Sequence, residues 1–320
     1  MSGSNGRQPA IEVNGLTKVY SGGVEAVKGV TFDVAHGEVF GLLGPNGAGK
    51  STTIGMLTTT VSPTSGTARV AGCDVVTDPI GVRAASAVVF QDPVVDRPLT
   101  GRRNLSIHAR LWGVARAEVE ARVSEVAARF GLVDLLDRAV ETYSGGQRRR
   151  LEIARSLISR PRVLFLDEPT VGLDPRIRFE LLDVIGGLRD AGAMTIVLTT
   201  HYLDEAERLC DRVAIVHEGR IVALDTPRAL LGQLGHEIVE LRIDAPGEPL
   251  LAFLRERALV GEGAFVLGST LTLPRRGTPS RDLFAAVDDF GAAVIAVTTR
   301  PPSLDDVYLN LTGGRLPAAA

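Results

Sequence analysis

Lysine is nearly missing from this chain: only Lys18, Lys28 and Lys50 are present among 320 residues, although Lys and Arg together number 35. Arginine stands wherever a generic positive charge suffices, so each retained lysine hints at a specific need. Cysteine is equally scarce. Cys73 and Cys210 lie in different predicted elements without metal-ligand spacing, which argues against a disulfide framework or a cysteine-based zinc site and fits a reducing, cytoplasmic setting. No apolar run approaches the ~20 residues that a spanning helix needs, so any work at a membrane is expected from its side. Residues 1–10, rich in Gly, Ser, Asn, Gln and Pro, lack the apolar stretch of a signal peptide and read as a disordered tail. Charge of one sign is not in excess either. A formal net charge of −3 gives no basic field to hold nucleic acid, and no nucleic-acid partner is expected.

What is present suffices for a full-sized core. With 45% hydrophobic and 23% charged residues, the length allows one large domain and a smaller one. The apolar run 39–43 reads as a buried strand, the stretch 44–49 as a glycine-rich loop, and 50–57 carries helical spacing. Further buried strands are expected at 11–13, 87–90, 163–166, 195–198 and 213–216, with helical stretches between several of them, as an α/β core with parallel strands requires. Strand signals stop between 99 and 160, where 104–111, 117–130 and 146–158 read as helices. This predicts a helical subdomain (about 92–160) inserted into a core that spans 11–235. From 236 to 320 the pattern changes again. Strands at 238–243, 264–267, 270–273 and 293–298 and helices at 249–256 and 280–289 follow the strand-helix-strand-strand-helix-strand order of a small ferredoxin-like α+β accessory domain, with a closing helix at 304–311.

Three constellations carry chemistry. Gly44, Pro45, Asn46, Gly47, Ala48, Gly49, Lys50 and Ser51 satisfy the phosphate-loop pattern between a strand and a helix, where that pattern belongs. Its glycines let backbone N–H groups curl around phosphates, the helix N-terminus adds its dipole, Lys50 can reach the β and γ phosphates, and Ser51 can ligate Mg²⁺. The apolar run 163–166 then ends in Asp167, placed to hold Mg²⁺, and Glu168, placed to polarise the attacking water as general base. The third constellation is Tyr143, Ser144, Gly145, Gly146 and Gln147 at a helix start: Ser144 can cap it, the glycines allow close approach, and exposed N–H groups make a second anion site. A second phosphate-binding helix has no evident use beside the same γ phosphate, so the economical answer is that it serves a neighbouring molecule's ATP. The run Arg148, Arg149, Arg150 reads as a solvated helix face or a docking surface and is given no chemistry.

In this order, the phosphate loop, the Ser-Gly-Gly-Gln signature, the acidic strand end and a downstream His201 resemble the nucleotide-binding domains of ABC transporters over roughly 11–234. The resemblance implies a P-loop NTPase core of ABC type that binds Mg-ATP, with Gly44 to Thr52 around the phosphates. Tyr20 would stack on adenine, Gln91 would contact Mg²⁺ and sense the γ phosphate, and His201 would touch that phosphate and work with Glu168. Residues 172–174 would lie at the seam of a head-to-tail pair of cassettes, a homodimer being natural. It also implies an integral membrane permease as partner, reached peripherally from the cytoplasmic face of the membrane. The signature opens with Tyr143 where leucine is usual, and Gln91 is followed by Asp92 and Pro93. The tyrosine form, the arginine run and the ending at 302–309 are similar to the daunorubicin/doxorubicin-resistance branch of bacterial exporters, which points to export of a drug-like or lipophilic compound. The alternative class, a soluble ABC-type ATPase acting on ribosome or DNA, typically shows tandem cassettes or a long coiled-coil insert, and this chain has neither. A kinase would have no use for Ser144 to Gln147.

Overall fold

The computed structural model describes residues 8–92, 94–190, 194–261, 263–275 and 280–313. It divides into two compact units, Met1–Ile221 and Val222–Ala320. Residues 1–7 of the predicted tail and Pro93 lie outside the described residues, whereas Ala10 is buried and its carbonyl accepts from Ala71 N at 2.7 Å.

The first unit opens with β1 (Ile11–Val19), β2 (Glu25–Val34), β3 (Val39–Leu43), α1 (Lys50–Leu57), β4 (Ser65–Val70) and β5 (Cys73–Asp74). It continues with α2 (Pro79–Ala85), β6 (Ser86–Val89), α3 (Gly101–Leu111), α4 (Val119–Arg129) and α5 (Gly145–Leu157). Then come β7 (Val163–Asp167), α6 (Pro175–Asp190), β8 (Thr195–Thr200), α7 (Leu203–Leu209), β9 (Arg212–His217) and β10 (Arg220–Asp225), the last of which runs across the boundary at Ile221. Two sheets result. One has the order β10-β9-β3-β8-β7-β6, and its pairs β9/β3, β3/β8, β8/β7 and β7/β6 are parallel. All residues of β3, β7 and β8 are buried, the continuous apolar pattern of a parallel strand covered on both faces. The C-terminal ends of these strands bring the loop after β3, Asp167 and His201 to one edge of the sheet, where α/β folds place their ligands.

The second sheet, β2-β1-β4-β5, is antiparallel, and only its first three residues were expected from the sequence. Register shifts between Val13 and Leu16 and again near Val19 break the period-two alternation that would announce β1. Between β6 and β7 stand the three helices α3 to α5. Thr100 starts α3 earlier than helical spacing alone indicated, since its hydroxyl accepts from Arg103 N at 3.2 Å.

In the second unit, α8 (Pro227–Leu234) precedes β11 (Glu237–Ile243), α9 (Gly247–Glu256), β12 (Phe265–Leu267), β13 (Thr270–Arg275), α10 (Ser280–Phe290), β14 (Val294–Arg300) and α11 (Leu304–Thr312). The sheet order is β12-β13-β11-β14 with every pair antiparallel. Val239, Leu241, Ile243, Leu271 and Leu273 point from it into a core shared with Leu250, Leu254 and Val287 of α9 and α10. Arg300, at the end of β14, donates to both carboxylate oxygens of Asp306 and to Glu240 Oε1 at 2.6–3.0 Å, fastening α11 to the sheet.

Candidate functional site

The loop between β3 and α1 is built by glycine in two ways. Gly49 caps α1 at φ 103°, and a Cβ there would strike the Ala26 carbonyl; Gly47 also holds a positive φ of 82°. The first turn of α1 has no acidic side chain, so its N–H groups and dipole are open to an anion. Asn46, Gly47 and Ser51 are exposed, Pro45 and Thr52 are half-buried, and Gly44 and Ala48 are buried.

Lys50 is only 4% exposed, and its ammonium has three partners: Gly44 O at 2.7 Å, Pro45 O at 3.1 Å and Glu168 Oε1 at 3.3 Å. An ammonium has three N–H groups, so in this geometry all are engaged. Burial pushes its pKa down, while Glu168 and Asp167 act in the opposite direction. Glu168 takes a left-handed φ of 46°, a conformation uncommon for a residue with a side chain. Its N–H bonds both the carbonyl (3.2 Å) and the hydroxyl (2.9 Å) of Thr199, which hold the turn in place. The same Thr199 hydroxyl donates to Asp167 Oδ1 at 2.5 Å, and Ser51 Oγ donates to that oxygen at 3.1 Å. His201 Nδ1 lies 3.4 Å from Glu168 Oε1, and its ring packs on Tyr202. Lys50, Ser51, Asp167, Glu168 and His201 therefore converge, delivered by three elements: the start of α1, the end of β7 and the end of β8.

Tyr20 is 40% exposed, with Lys18 Nζ 5.0 Å from its ring centre and its hydroxyl 3.5 Å from Thr52 Oγ1. Gln91 is exposed just after β6. Asp174 caps α6 by accepting from Ile177 N.

The signature helix is organised by its own residues. Ser144 Oγ accepts from Gln147 N at 3.2 Å and Gln147 Oε1 accepts from Ser144 N at 2.9 Å, a reciprocal capping box. Ser144 and Gly145 remain exposed, and a Cβ on Gly146 would collide with Ile177. Tyr143, the departure from the usual leucine, is buried, and its hydroxyl donates to Leu135 O; it fits because position 101 is glycine, where a Cβ would overlap that hydroxyl.

Sequence reasoning missed several residues. Glu205, fully buried, accepts from Thr170 and, at 2.7 Å, from Thr200, bridging the segment after Glu168 to the one before His201. Burial raises its pKa against these hydrogen bonds and nearby Arg178. The arginine run needs correction. Arg148 donates to the Tyr143 carbonyl, Arg150 pairs with Glu180, and Arg149 is buried at 7% exposure, so the run is not a free solvated face. A buried guanidinium is invisible in sequence because its partners are carbonyls supplied by distant strand ends.

A phosphate loop at the edge of a parallel sheet, met there by two successive carboxylates from the end of β7, one strand removed from β3, defines a P-loop nucleoside triphosphatase. Comparison with known proteins narrows this. The family described as ABC transporter matches residues 27–171. The daunorubicin/doxorubicin resistance ATP-binding protein DrrA of Streptomyces peucetius is 44% identical over 95% of this chain and 92% of its own length. The Nod factor export ATP-binding protein I of Paraburkholderia xenovorans is 38% identical over 96% and 98%. Among solved structures, cbiO1 from Clostridium perfringens, part of the ABC transporter complex cbiONQ, superimposes with a TM-score of 0.66 at 30% identity, covering 71% of this chain and 92% of that one. The chain belongs to the ABC transporter family as an ATP-binding subunit, and it is an ATPase.

Proposed function

We propose that this subunit works as one of two head-to-tail cassettes and powers export of a drug-like or lipophilic compound through a separate membrane permease. The observation that carries the pairing is the second helix N-terminus: α5 offers exposed Ser144 and Gly145 with no acidic residue in its first turn, while the chain's own phosphate loop already has α1. In each site ATP would be held by Tyr20, residues 44–52, Gln91, Asp167 and His201, and covered by Ser144, Gly145, Gly146 and Gln147 of the other cassette.

Ser51 Oγ and Asp167 Oδ1 are hard oxygen donors already in contact, a set that fits Mg²⁺, with Gln91 as a third candidate. The ion would draw charge from the β and γ phosphates. Lys50 would exchange Glu168 for phosphate oxygens, which releases the Glu168 carboxylate to accept a proton from water, with His201 beside it.

Permease docking is supported by a cavity of about 270 Å³ in the first unit, lined by Phe90, Val94, His108, Trp112, Glu152 and Arg155. Val94 and Trp112 expose apolar surface there, and burial beside Arg155 pushes the His108 imidazole down to about 4, so it is neutral at pH 7. Among the described residues no helix is long and apolar enough to cross a membrane. Docked to a permease, the subunit would be held peripherally at the cytoplasmic face. Export is the reading because the relatives' names speak of drug resistance and of export.

The test uses Glu168→Gln, which should bind ATP without hydrolysing it, and measures solution mass by light scattering with and without Mg-ATP. A doubling of mass that Ser144→Arg abolishes is expected. A chain that binds ATP and stays monomeric at all concentrations removes the support for pairing through α5.

A further inference from the structure

Arg149 has no place in the mechanism above, yet it is among the most fully bonded side chains near the site. Its guanidinium has five N–H groups, and five acceptors meet them. Nε donates to Pro169 O (2.8 Å), Nη1 to Phe90 O (2.6 Å) and Glu152 Oε2 (2.9 Å), and Nη2 to Asp167 O (3.2 Å) and Glu168 O (3.4 Å). Four of those acceptors are main-chain carbonyls, and two of them belong to the residues proposed to hold the ion and activate water. A third directly precedes Gln91.

The grip extends along one face of α5. Glu152, one turn on, accepts from Val94 N through Oε1 at 3.0 Å, and Arg155, another turn on, donates to Val94 O at 2.7 Å. Side chains at i, i+3 and i+6 thus hold Phe90, directly before Gln91, and Val94. The helix that does this is the one whose N-terminus carries Ser144 to Gln147. Planar, fork-shaped and permanently charged, arginine can hold this many carbonyls at fixed angles; lysine, with three donors on a flexible stem, cannot.

We infer that Arg149 is the positioning residue that makes the signature helix, the Gln91 segment and the Glu168 turn move as one body, so that nucleotide bound in this chain's own loop sets the orientation of the helix offered to the other ATP. The second half of this inference rests on the pairing proposed above; the linkage inside one chain does not.

Trp112, the chain's sole tryptophan, reports that linkage, since it lines the same cavity as Phe90, Val94, Glu152 and Arg155. The experiment follows Trp112 emission of the full chain on adding Mg²⁺ and a non-hydrolysable ATP analogue. Analogue affinity by calorimetry, melting temperature and steady-state kcat and KM are measured alongside, for the wild type and Arg149→Lys. The expected result is analogue affinity within about threefold of wild type, a melting temperature a few degrees lower because buried acceptors lose their donors, loss of the Trp112 response, and a fall in kcat of about 10²-fold from misplaced groups with little change in KM. A Trp112 response and a kcat equal to wild type would overturn the inference. So would a parallel fall of affinity, kcat and melting temperature, which marks a general brace. Should the lysine variant fail to fold, Glu152→Gln, which removes the charge facing Arg149 while leaving an oxygen for Val94 N, decides by the same split; an unaltered Trp112 response and kcat there refutes the linkage. If Glu168→Gln also stays monomeric while the Trp112 response still depends on Arg149, the pairing fails and the linkage stands.

Discussion

Replacing Lys50 by methionine keeps the length of the stem and removes the ammonium, so its consequences can be worked from the three contacts it loses. Toward ATP, a unit charge about 4 Å from a phosphate oxygen contributes ~4 kcal/mol at the effective dielectric of ~20 that suits a half-open site. Loss of a preorganised donor to a developing charge typically costs ~3–4 kcal/mol. The two figures describe the same interaction, so kcat/KM should drop by about 10²–10³-fold. Within the protein the loss acts on Glu168, which is 7% exposed and keeps the His201 ring nitrogen 3.4 Å from its Oε1. Breaking a fully buried pair costs ~3–5 kcal/mol, and exposed Gly47 and Ser51 admit water that reduces this to ~2 kcal/mol, or a melting temperature lower by about 5 °C. Adding Glu168→Gln to Lys50→Met should restore most of that stability and none of the turnover. Steady-state phosphate release and differential scanning fluorimetry on the two single variants and the double provide the cycle. Turnover by Lys50→Met within tenfold of wild type would refute the phosphate role, and a double variant no more stable than Lys50→Met would refute the resting ion pair.

The fit of Tyr143 against Gly101 predicts that Gly101→Ala destabilises by about 1–3 kcal/mol, because the added methyl meets a hydroxyl bound to Leu135 O, and that Tyr143→Phe added to it recovers part of the loss; thermal melts of the three variants check it. In the second unit, burial alone would raise the Asp306 carboxyl, but its bonds with Arg300 and Ser303 outweigh burial and hold it below the usual carboxylate range. A depressed pKa contributes stability above the unfolded value of about 4 that is lost as pH falls through the folded value. Asp306→Asn should therefore lower the melting temperature at pH 7, by ~2 kcal/mol of stability once the partial exposure of Arg300 is discounted, with the gap closing below about pH 4. A gap as large at pH 3 as at pH 7 would show that the ion pair is not its source.

The parallel core was legible because strands buried on both faces leave short uninterrupted apolar runs, as at 39–43 and 163–166, and the phosphate loop was legible because its chemistry demands particular residues at fixed spacing. The antiparallel sheet was hidden. In β4 only Ala68 and Val70 are buried, too few to show alternation, and the bulges in β1 shift its phase. That Lys50, Ser51, Asp167 and Glu168 serve one site was expected from their motifs, and His201 was added to it by the family resemblance. Thr199, Glu205 and Arg149 could not be foreseen in that way, because what they bond to is backbone or a hydroxyl that only the folded chain brings near.

The scarcity of lysine acquires a practical side once the side chains are placed. Lys50 lies inside the phosphate loop, and Lys18 stands over the Tyr20 ring with its amine on Ser62 O at 2.8 Å. Only Lys28 and the chain's α-amino group remain as other primary amines. An acylating reagent therefore meets a molecule whose amines are few enough to be counted by mass, and half-buried Lys18 sits beside Tyr20, where nucleotide is expected to bind, while Lys50 is buried with its three N–H groups engaged. Lysine footprinting can read occupancy of this site without any engineered label, a handle that a chain with the usual scatter of surface lysines would not offer.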